Sequence, residues 1–78
     1  MYTILTKDSC SYCTKSKSLL DSLSISYHTI ELHVDITKSE AQEMMEKELT
    51  TVPQIWCGKV HVGGFEDLCD WLIETGEC

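Results

Sequence analysis

The chain has 78 residues, 42% of them hydrophobic and 24% charged, which predicts one small globular domain over residues 1–78 and not a disordered segment. Thirteen acidic residues, six lysines and no arginine give a net charge of −7, which argues against nucleic-acid binding. The N-terminus does not resemble a signal peptide and no apolar run approaches about 18–20 residues, so we expect a cytoplasmic protein, away from membranes, whose five cysteines are reduced.

The first half of the chain predicts a strand, a helix and a second strand. Residues 2–6 and 27–32 are rich in strand-favouring side chains, with Ile30 and Leu32 expected on one face. Residues 10–23 carry apolar side chains at helical spacing, and Ser9 precedes them where an N-cap is expected. The apolar face of this helix comprises Cys13, Leu19, Leu20 and Leu23.

The second half predicts a helix, a hairpin and a last helix. Thr37 and Glu40 have the spacing of a capping box, which opens a helix that runs to about Leu49. Its apolar face comprises Ala41, Met44, Met45 and Leu49. Residues 54–57 and 60–62 are short strands joined by a tight turn at Gly58-Lys59. The final helical face comprises Phe65, Leu68, Trp71 and Leu72, and Gly76 follows at the expected C-cap.

The element order β-α-β-α-β-β-α predicts an α/β fold with a four-stranded mixed sheet and three helices over its faces. The first two strands should be parallel because a helix connects them, and the hairpin strands should be antiparallel.

The most informative motif is Cys10-Ser11-Tyr12-Cys13, between the first strand and the first helix. Two cysteines at this spacing beside a βαβ unit are typical of a thioredoxin-like redox motif. Backbone N–H groups and the dipole at a helix start favour an anion, so Cys10 should be stabilised as a thiolate and attack first. Cys13, one turn further on and more buried, is close enough to form a disulfide with Cys10. Lys7 adds positive charge, in a segment (residues 1–30) that is locally basic at +1.

Two structural explanations compete with the redox interpretation. A zinc site would need a second cysteine pair or a histidine pair, and Cys57, His61 and Cys69 lack the usual spacing. Alternatively, Cys10 and Cys13 only fill the core. The placement of the motif between a strand and a helix favours redox chemistry.

Thr51-Val52-Pro53 precedes the third strand, about forty residues after the cysteine pair. A plain turn would use these residues too, because proline at a strand start has no N–H to lose. A cis proline would instead present the backbone N–H and C=O of Val52 to an extended, peptide-like substrate.

A third motif, Gly63-Gly64-Phe65-Glu66-Asp67, opens the last helix. The glycines let a ligand approach the backbone, the helix start offers N–H groups to a carboxylate, and Asp67 offers a partner to an ammonium. The alternative is an ordinary capping turn with acidic residues in the first helical turn.

Taken together and in this order, the three motifs resemble those of the glutaredoxins, and the resemblance covers essentially the whole chain. It implies a thioredoxin-like glutaredoxin fold and the activity of a dithiol, glutathione-dependent thiol–disulfide oxidoreductase. It implies that Cys10 is the nucleophile and Cys13 the second catalytic thiol. It also implies a cis bond before Pro53. The residues implied to bind glutathione are Lys7, Tyr12, Thr51, Val52, Pro53, Gly64, Phe65, Glu66 and Asp67.

Two positions depart from the family pattern. Ser11 stands where proline is common, and some family members with serine there bridge a [2Fe–2S] cluster between two chains. Thr50 stands where many members have a cation that meets the glycyl carboxylate of glutathione. We therefore expect Lys7 to contribute more to binding that carboxylate, and Gln54 to donate a hydrogen bond to it.

The resemblance implies a monomer whose partners are glutathione and disulfide-containing or glutathionylated proteins, with no resident metal. One alternative function is an electron donor to ribonucleotide reductase that is itself reduced by a flavoprotein. The other is a glutathione-dependent carrier of a [2Fe–2S] cluster.

The remaining three cysteines are expected to be less reactive than the first two. Cys57 lies on the same strand face as Ile55, which predicts core packing, and Cys69 lies on the last helix and should be partly buried. Cys78 should be exposed and open to oxidation.

Overall fold

The predicted order of elements is confirmed by the computed structural model, which describes residues 1–76 and 78. The elements are β1 Tyr2–Thr6, α1 Ser11–Ser22, β2 Tyr27–Glu31, α2 Lys38–Met45, β3 Gln54–Cys57, β4 Val60–Gly63 and α3 Phe65–Glu74. None of the helices in these residues is both long and apolar enough to cross a membrane.

The four strands form one mixed sheet in the order β2-β1-β3-β4. β1 is parallel to β2 and β3 is antiparallel to β4, as predicted. β1 is also antiparallel to β3, a pairing that was not predicted. The β3–β4 turn contains Gly58 at a φ of +60°, a conformation that glycine adopts without steric cost. Because β1 and β3 are antiparallel neighbours, the C-terminal end of β1 and the N-terminal end of β3 lie side by side at the same end of the sheet.

Each face of the sheet carries its own hydrophobic cluster, because successive strand residues point to opposite faces. One cluster lies under α1 and α3 and comprises Tyr2, Ile4, Leu20, Ile55, Cys57 and Leu68. The other lies under α2 and comprises Leu5, Leu32, Ala41, Met45, Leu49 and Trp56. Burying one such leucine or isoleucine contributes about 1.5–3 kcal/mol, so the two clusters hold the helices on the sheet.

The structure corrects several predicted boundaries in the first half of the chain. The N-cap of α1 is Cys10 and not Ser9, because the Cys10 sulfur accepts the backbone N–H of Cys13. Leu23 lies at the C-cap and is 51% exposed, so it does not extend the buried face. β2 ends at Glu31, and Leu32 forms only an isolated bridge with Ile36.

The second helix is also shorter than predicted. The Thr37–Glu40 capping box is confirmed, but α2 ends at Met45 because Glu46 adopts a left-handed conformation with a φ of +59°. Leu49 is buried from the loop that follows, where its N–H donates to the Gln42 side chain at 3.0 Å. Met44, predicted on the apolar face, is 44% exposed.

A disulfide joins Cys57 to Cys78, whose Cα atoms are 5.1 Å apart. Cys57 is buried in the cluster under α1 and α3, as predicted, and Cys78 is exposed. The expectation that the cysteines are all reduced is therefore wrong for Cys57 and Cys78, and their pairing was not predicted. Cys69 is a free, half-buried cysteine, as predicted.

Candidate functional site

The first cysteine pair lies at the point where β1 leads into α1. Cys10 has extended backbone angles (φ −106°, ψ 107°) and caps the helix, and the N–H of Cys13 donates to its sulfur at 3.1 Å. The two cysteines form a disulfide with Cα atoms 5.2 Å apart. Cys10 is half-buried and Cys13 is 1% exposed, so an incoming reactant reaches Cys10 first.

The segment before β3 faces this cysteine pair. The Val52–Pro53 peptide bond is cis, as the family resemblance implied. The Cys10 sulfur lies 3.7 Å from the carbonyl oxygen of Val52, which also accepts a hydrogen bond from the Thr51 hydroxyl at 3.3 Å. The two motifs, 42 residues apart in the chain, therefore form one site.

A groove of about 320 Å³ lies beside this contact and unites the three sequence motifs. Its described lining residues are Tyr12, Lys47, Thr51, Val52, Pro53, Gln54, Gly63, Gly64, Phe65, Glu66 and Asp67. Eight of the nine residues implied to bind glutathione thus lie along one groove, and Lys7 is the exception.

Two aromatic rings pack against each other in the groove wall. Tyr12 of α1 and Phe65 of α3 have ring centroids 5.8 Å apart and planes inclined by 41°. The ammonium of Lys15 lies 4.7 Å from the centroid of the Tyr12 ring, a cation–π contact. Because Tyr12 is 50% exposed, its ring remains available to a ligand in the groove.

The start of α3 has a tight backbone geometry. Gly64 is the N-cap, and its N–H donates to the Asp67 carboxylate at 3.1 Å. Gly63 has a φ of +123°, and a Cβ atom placed there would overlap the Asp67 side chain. The capping role that the sequence allowed for Asp67 is therefore present, and glycine is required at position 63.

The lysines lie differently from the sequence-based expectation. Lys7 lines a separate cavity of about 430 Å³, next to Cys10, Cys13 and Lys17. Lys47 is the only basic residue among the described residues that line the groove. Sequence reasoning missed Lys47, although its position in the loop just before Thr51-Val52-Pro53 was a usable signal.

Beneath the groove, Gln54 links two parts of the site and is only 7% exposed. Its amide nitrogen donates to the Thr51 carbonyl at 3.0 Å, and its amide oxygen lies 2.7 Å from His61 Nε2, which must therefore be the donor. The His61 ring also packs on Trp56 with centroids 5.1 Å apart. Gln54 thus braces the loop from within, and its expected hydrogen bond to a ligand carboxylate stays a prediction.

The surroundings of His61 lower its pKa. Burial is the main cause, because it disfavours the charged imidazolium, and the positive charge of Lys47 adds to the effect. Asp67 opposes it and raises the pKa. The ring is therefore held in its neutral form over a wider pH range than a free histidine.

Comparison with known proteins decides the family. A family model described as glutaredoxin matches residues 2–62. The chain belongs to the glutaredoxin family. It is 42% identical over 67 residues to glutaredoxin 1 of Rickettsia prowazekii, covering 83% of this chain and 70% of the relative. It is 32% identical over 78 residues to glutaredoxin 1 of Escherichia coli, covering 92% of each.

Solved glutaredoxin structures are similar to this one over almost its full length. Reduced Escherichia coli glutaredoxin superposes with a TM-score of 0.83 at 31% identity, covering 95% of this chain and 94% of the other. A buckwheat glutaredoxin–glutathione complex superposes with a TM-score of 0.77 at 26% identity, covering 94% of this chain and 68% of the other. The glutaredoxin fold is therefore confirmed.

Family membership and the Cys10–Cys13 disulfide together support a thiol–disulfide oxidoreductase with a dithiol site. In residues 1–76 and 78, no three or more His, Cys, Asp or Glu side chains are grouped so that they could hold a metal ion.

Proposed function

We propose that this glutaredoxin uses glutathione to reduce protein–glutathione mixed disulfides and protein disulfides. The observation that carries the proposal is the contact between the Cys10 sulfur and the Val52 carbonyl, 3.7 Å apart, beside the groove. A cysteinyl residue that pairs with the backbone of Val52 would place its own sulfur next to Cys10.

The reaction begins with the Cys10 thiolate, which the N–H of Cys13 is placed to stabilise. It attacks the glutathione sulfur of a mixed disulfide. A Cys10–glutathione bond forms, the original S–S bond breaks, and the protein thiolate leaves and takes up a proton. A second glutathione thiolate then attacks the glutathione sulfur on Cys10, which releases oxidised glutathione and restores the Cys10 thiolate.

Protein disulfides would use both cysteines. Cys10 attacks one sulfur of the substrate, and Cys13 then displaces the product by attacking Cys10. This leaves the Cys10–Cys13 disulfide, the form present in the structure. Two glutathione molecules reduce it in turn and leave as oxidised glutathione.

The groove offers a partner to each charged end of glutathione. The N–H groups of the first turn of α3, beyond Gly64, would receive the γ-glutamyl carboxylate, and Asp67 would attract the ammonium on the same carbon. The glycyl carboxylate then needs a cation, and Lys47 is the basic residue that lines the described groove. Lys7 would act from the neighbouring cavity on the negative charge of glutathione as it approaches Cys10.

A turnover assay with two alternative reductants tests this proposal. The substrate is a small glutathione mixed disulfide, and the reductant is either glutathione with glutathione reductase or thioredoxin reductase alone. We expect turnover with glutathione only. The opposite preference would overturn glutathione dependence and favour an electron donor served by a flavoprotein. Cys69→Ser is the matched control and should retain wild-type turnover, because Cys69 is a free cysteine outside the groove.

A further inference from the structure

The second disulfide lies at the end of the sheet opposite the first. Cys57 is the last residue of β3 and pairs with Tyr2 at the start of β1, whereas Gln54, the first residue of β3, pairs with Leu5. The Cys10 loop follows the Leu5 end of β1. The Cys57–Cys78 pair therefore lies well away from the catalytic pair.

The two pairs share a division between an accessible and an enclosed sulfur. At the catalytic pair, Cys10 is half-buried and Cys13 is 1% exposed. At the second pair, Cys78 is exposed and Cys57 is 8% exposed within the cluster under α1 and α3. Cys78 also lines an open cavity of about 260 Å³ with Met1, Tyr2, Ile25, Ser26 and Gly76. A soluble disulfide can thus reach Cys78 but not Cys57.

We propose that Cys78 is a site of glutathionylation and that Cys57 is its resolving thiol, so that the protein carries a second redox couple. The Cys78 thiolate attacks oxidised glutathione, forming a Cys78–glutathione bond and releasing one glutathione thiolate. The Cys57 thiolate then attacks the Cys78 sulfur, forming the Cys57–Cys78 bond and releasing a second glutathione. The two cysteines are oxidised and one oxidised glutathione is reduced to two glutathiones. The inference is independent of turnover at Cys10, because oxidised glutathione is the only oxidant required.

Closure of this pair constrains the part of the chain that carries one wall of the groove. The cysteines are 21 residues apart in sequence, and the segment between them includes β4 and α3. α3 supplies Phe65 and Asp67 to the groove from its first turn. Joining the two ends limits the unfolded state of this segment and should raise its resistance to unfolding when glutathione is oxidised.

The experiment treats the fully reduced protein with oxidised glutathione, blocks the remaining thiols by alkylation and maps the peptides. Trypsin cleavage after Lys59 separates Cys57 from Cys78, so a disulfide between them appears as two linked peptides. The variants are Cys57→Ser and Cys78→Ser, with Cys69→Ser as the control because its thiol is free. Cys57→Ala is a second variant in case a buried serine destabilises the core.

We expect linked Cys57 and Cys78 peptides in the wild type and in Cys69→Ser. Cys57→Ser, or Cys57→Ala, should hold one glutathionyl group on Cys78, and Cys78→Ser should leave Cys57 as a thiol. A stable glutathionyl group on Cys78 of the wild type would overturn the resolving role of Cys57. Glutathionylation of Cys57 in Cys78→Ser would show that glutathione does not need to attach to Cys78 first. If Cys57 and Cys78 of the wild type both stay thiols while the Cys10–Cys13 pair is oxidised, the second redox couple does not exist.

A melting experiment tests the structural consequence separately. With the catalytic pair oxidised in both proteins, oxidised wild type should melt on the order of 10 °C above oxidised Cys78→Ser. After reduction the difference should largely disappear. Equal melting temperatures in the oxidised state would contradict a constraint on α3, whatever the outcome of the turnover assay.

Discussion

The backbone N–H of Cys13 donates to the Cys10 sulfur at 3.1 Å, which makes a cysteine the N-cap of α1. A thiolate at this position gains the hydrogen bond and the positive end of the helix dipole, and Cys13 gains neither. We therefore expect iodoacetamide at pH 6 to alkylate Cys10 of the reduced protein at least about ten times faster than Cys69, which is also half-buried. Peptide mapping after short reaction times measures both rates. Equal rates would contradict thiolate stabilisation at the helix start.

Lys47 is expected to be the main cation for the glycyl carboxylate. Lys47→Ala should raise the KM for a glutathione mixed disulfide about three- to tenfold with little change in kcat, because an ion pair at an exposed site is lost and the sulfur chemistry is not. Steady-state kinetics on the turnover assay measure both constants. Lys59→Ala is the matched control, since Lys59 lies in the β3–β4 turn away from the groove.

Lys7→Ala should raise the KM less than Lys47→Ala does, because Lys7 lines the neighbouring cavity and not the groove. A larger rise in KM for Lys7→Ala than for Lys47→Ala would support the expectation drawn from the sequence and contradict the proposed roles of the two lysines.

Gly63 should tolerate no side chain. Gly63→Ala places a methyl group against Asp67 at a φ of +123°, so we expect it to lower the free energy of unfolding by roughly 2–3 kcal/mol and to raise the KM for glutathione substrates. Gly58→Ala is the control, because Gly58 has a φ of +60° with open space around it and should cost only about 1 kcal/mol. Denaturant unfolding of both variants measures the difference, and equal losses would contradict the Gly63–Asp67 contact.

His61 should make the fold sensitive to acid. Its pKa is lowered in the folded state, mainly by burial, so the unfolded chain binds the proton more readily. Its contribution to stability is complete above the unfolded value of about 6.5 and is lost as the pH falls through the folded pKa. Lys47 and Asp67 are the charged groups that act on it.

His61→Gln keeps an N–H donor for Gln54 but does not titrate, so it isolates the effect of protonation. The free energy of unfolding of the wild type should fall more steeply below about pH 6.5 than that of His61→Gln. His61→Ala should in addition raise the KM, because Gln54 loses the partner that holds it against Thr51. Parallel pH profiles for wild type and His61→Gln would contradict a half-buried histidine that the fold keeps neutral.

Local patterns allowed most of this architecture to be predicted. The strands around Ile4 and Ile55, the capping box at Thr37 and the turn at Gly58 each depend on a few neighbouring residues, and the structure confirms all of them. The end of α2 was predicted too late because the helix stops where Glu46 adopts a left-handed conformation. Leu49 is buried although it lies in the loop beyond, and the spacing of apolar residues cannot distinguish this from a longer helix.

The unpredicted features depend on contacts between distant residues. Lys47 reaches the groove only because the loop after α2 passes beside Thr51, and Gln54 meets His61 only through the β3–β4 hairpin. Cys57 and Cys78 are joined across 21 residues, and nothing in their local sequence indicates the pairing. Side-chain identity alone could not assign these roles.

The most direct test of the central claim is to trap the first intermediate in Cys13→Ser. The reduced variant is mixed with a glutathione mixed disulfide in the absence of free glutathione, and the modified peptide is identified by mass spectrometry. We predict one glutathionyl group on Cys10, released as oxidised glutathione when glutathione is added, and none at position 10 of Cys10→Ser. A Cys13→Ser protein whose Cys10 stays unmodified while substrate is consumed would contradict the account.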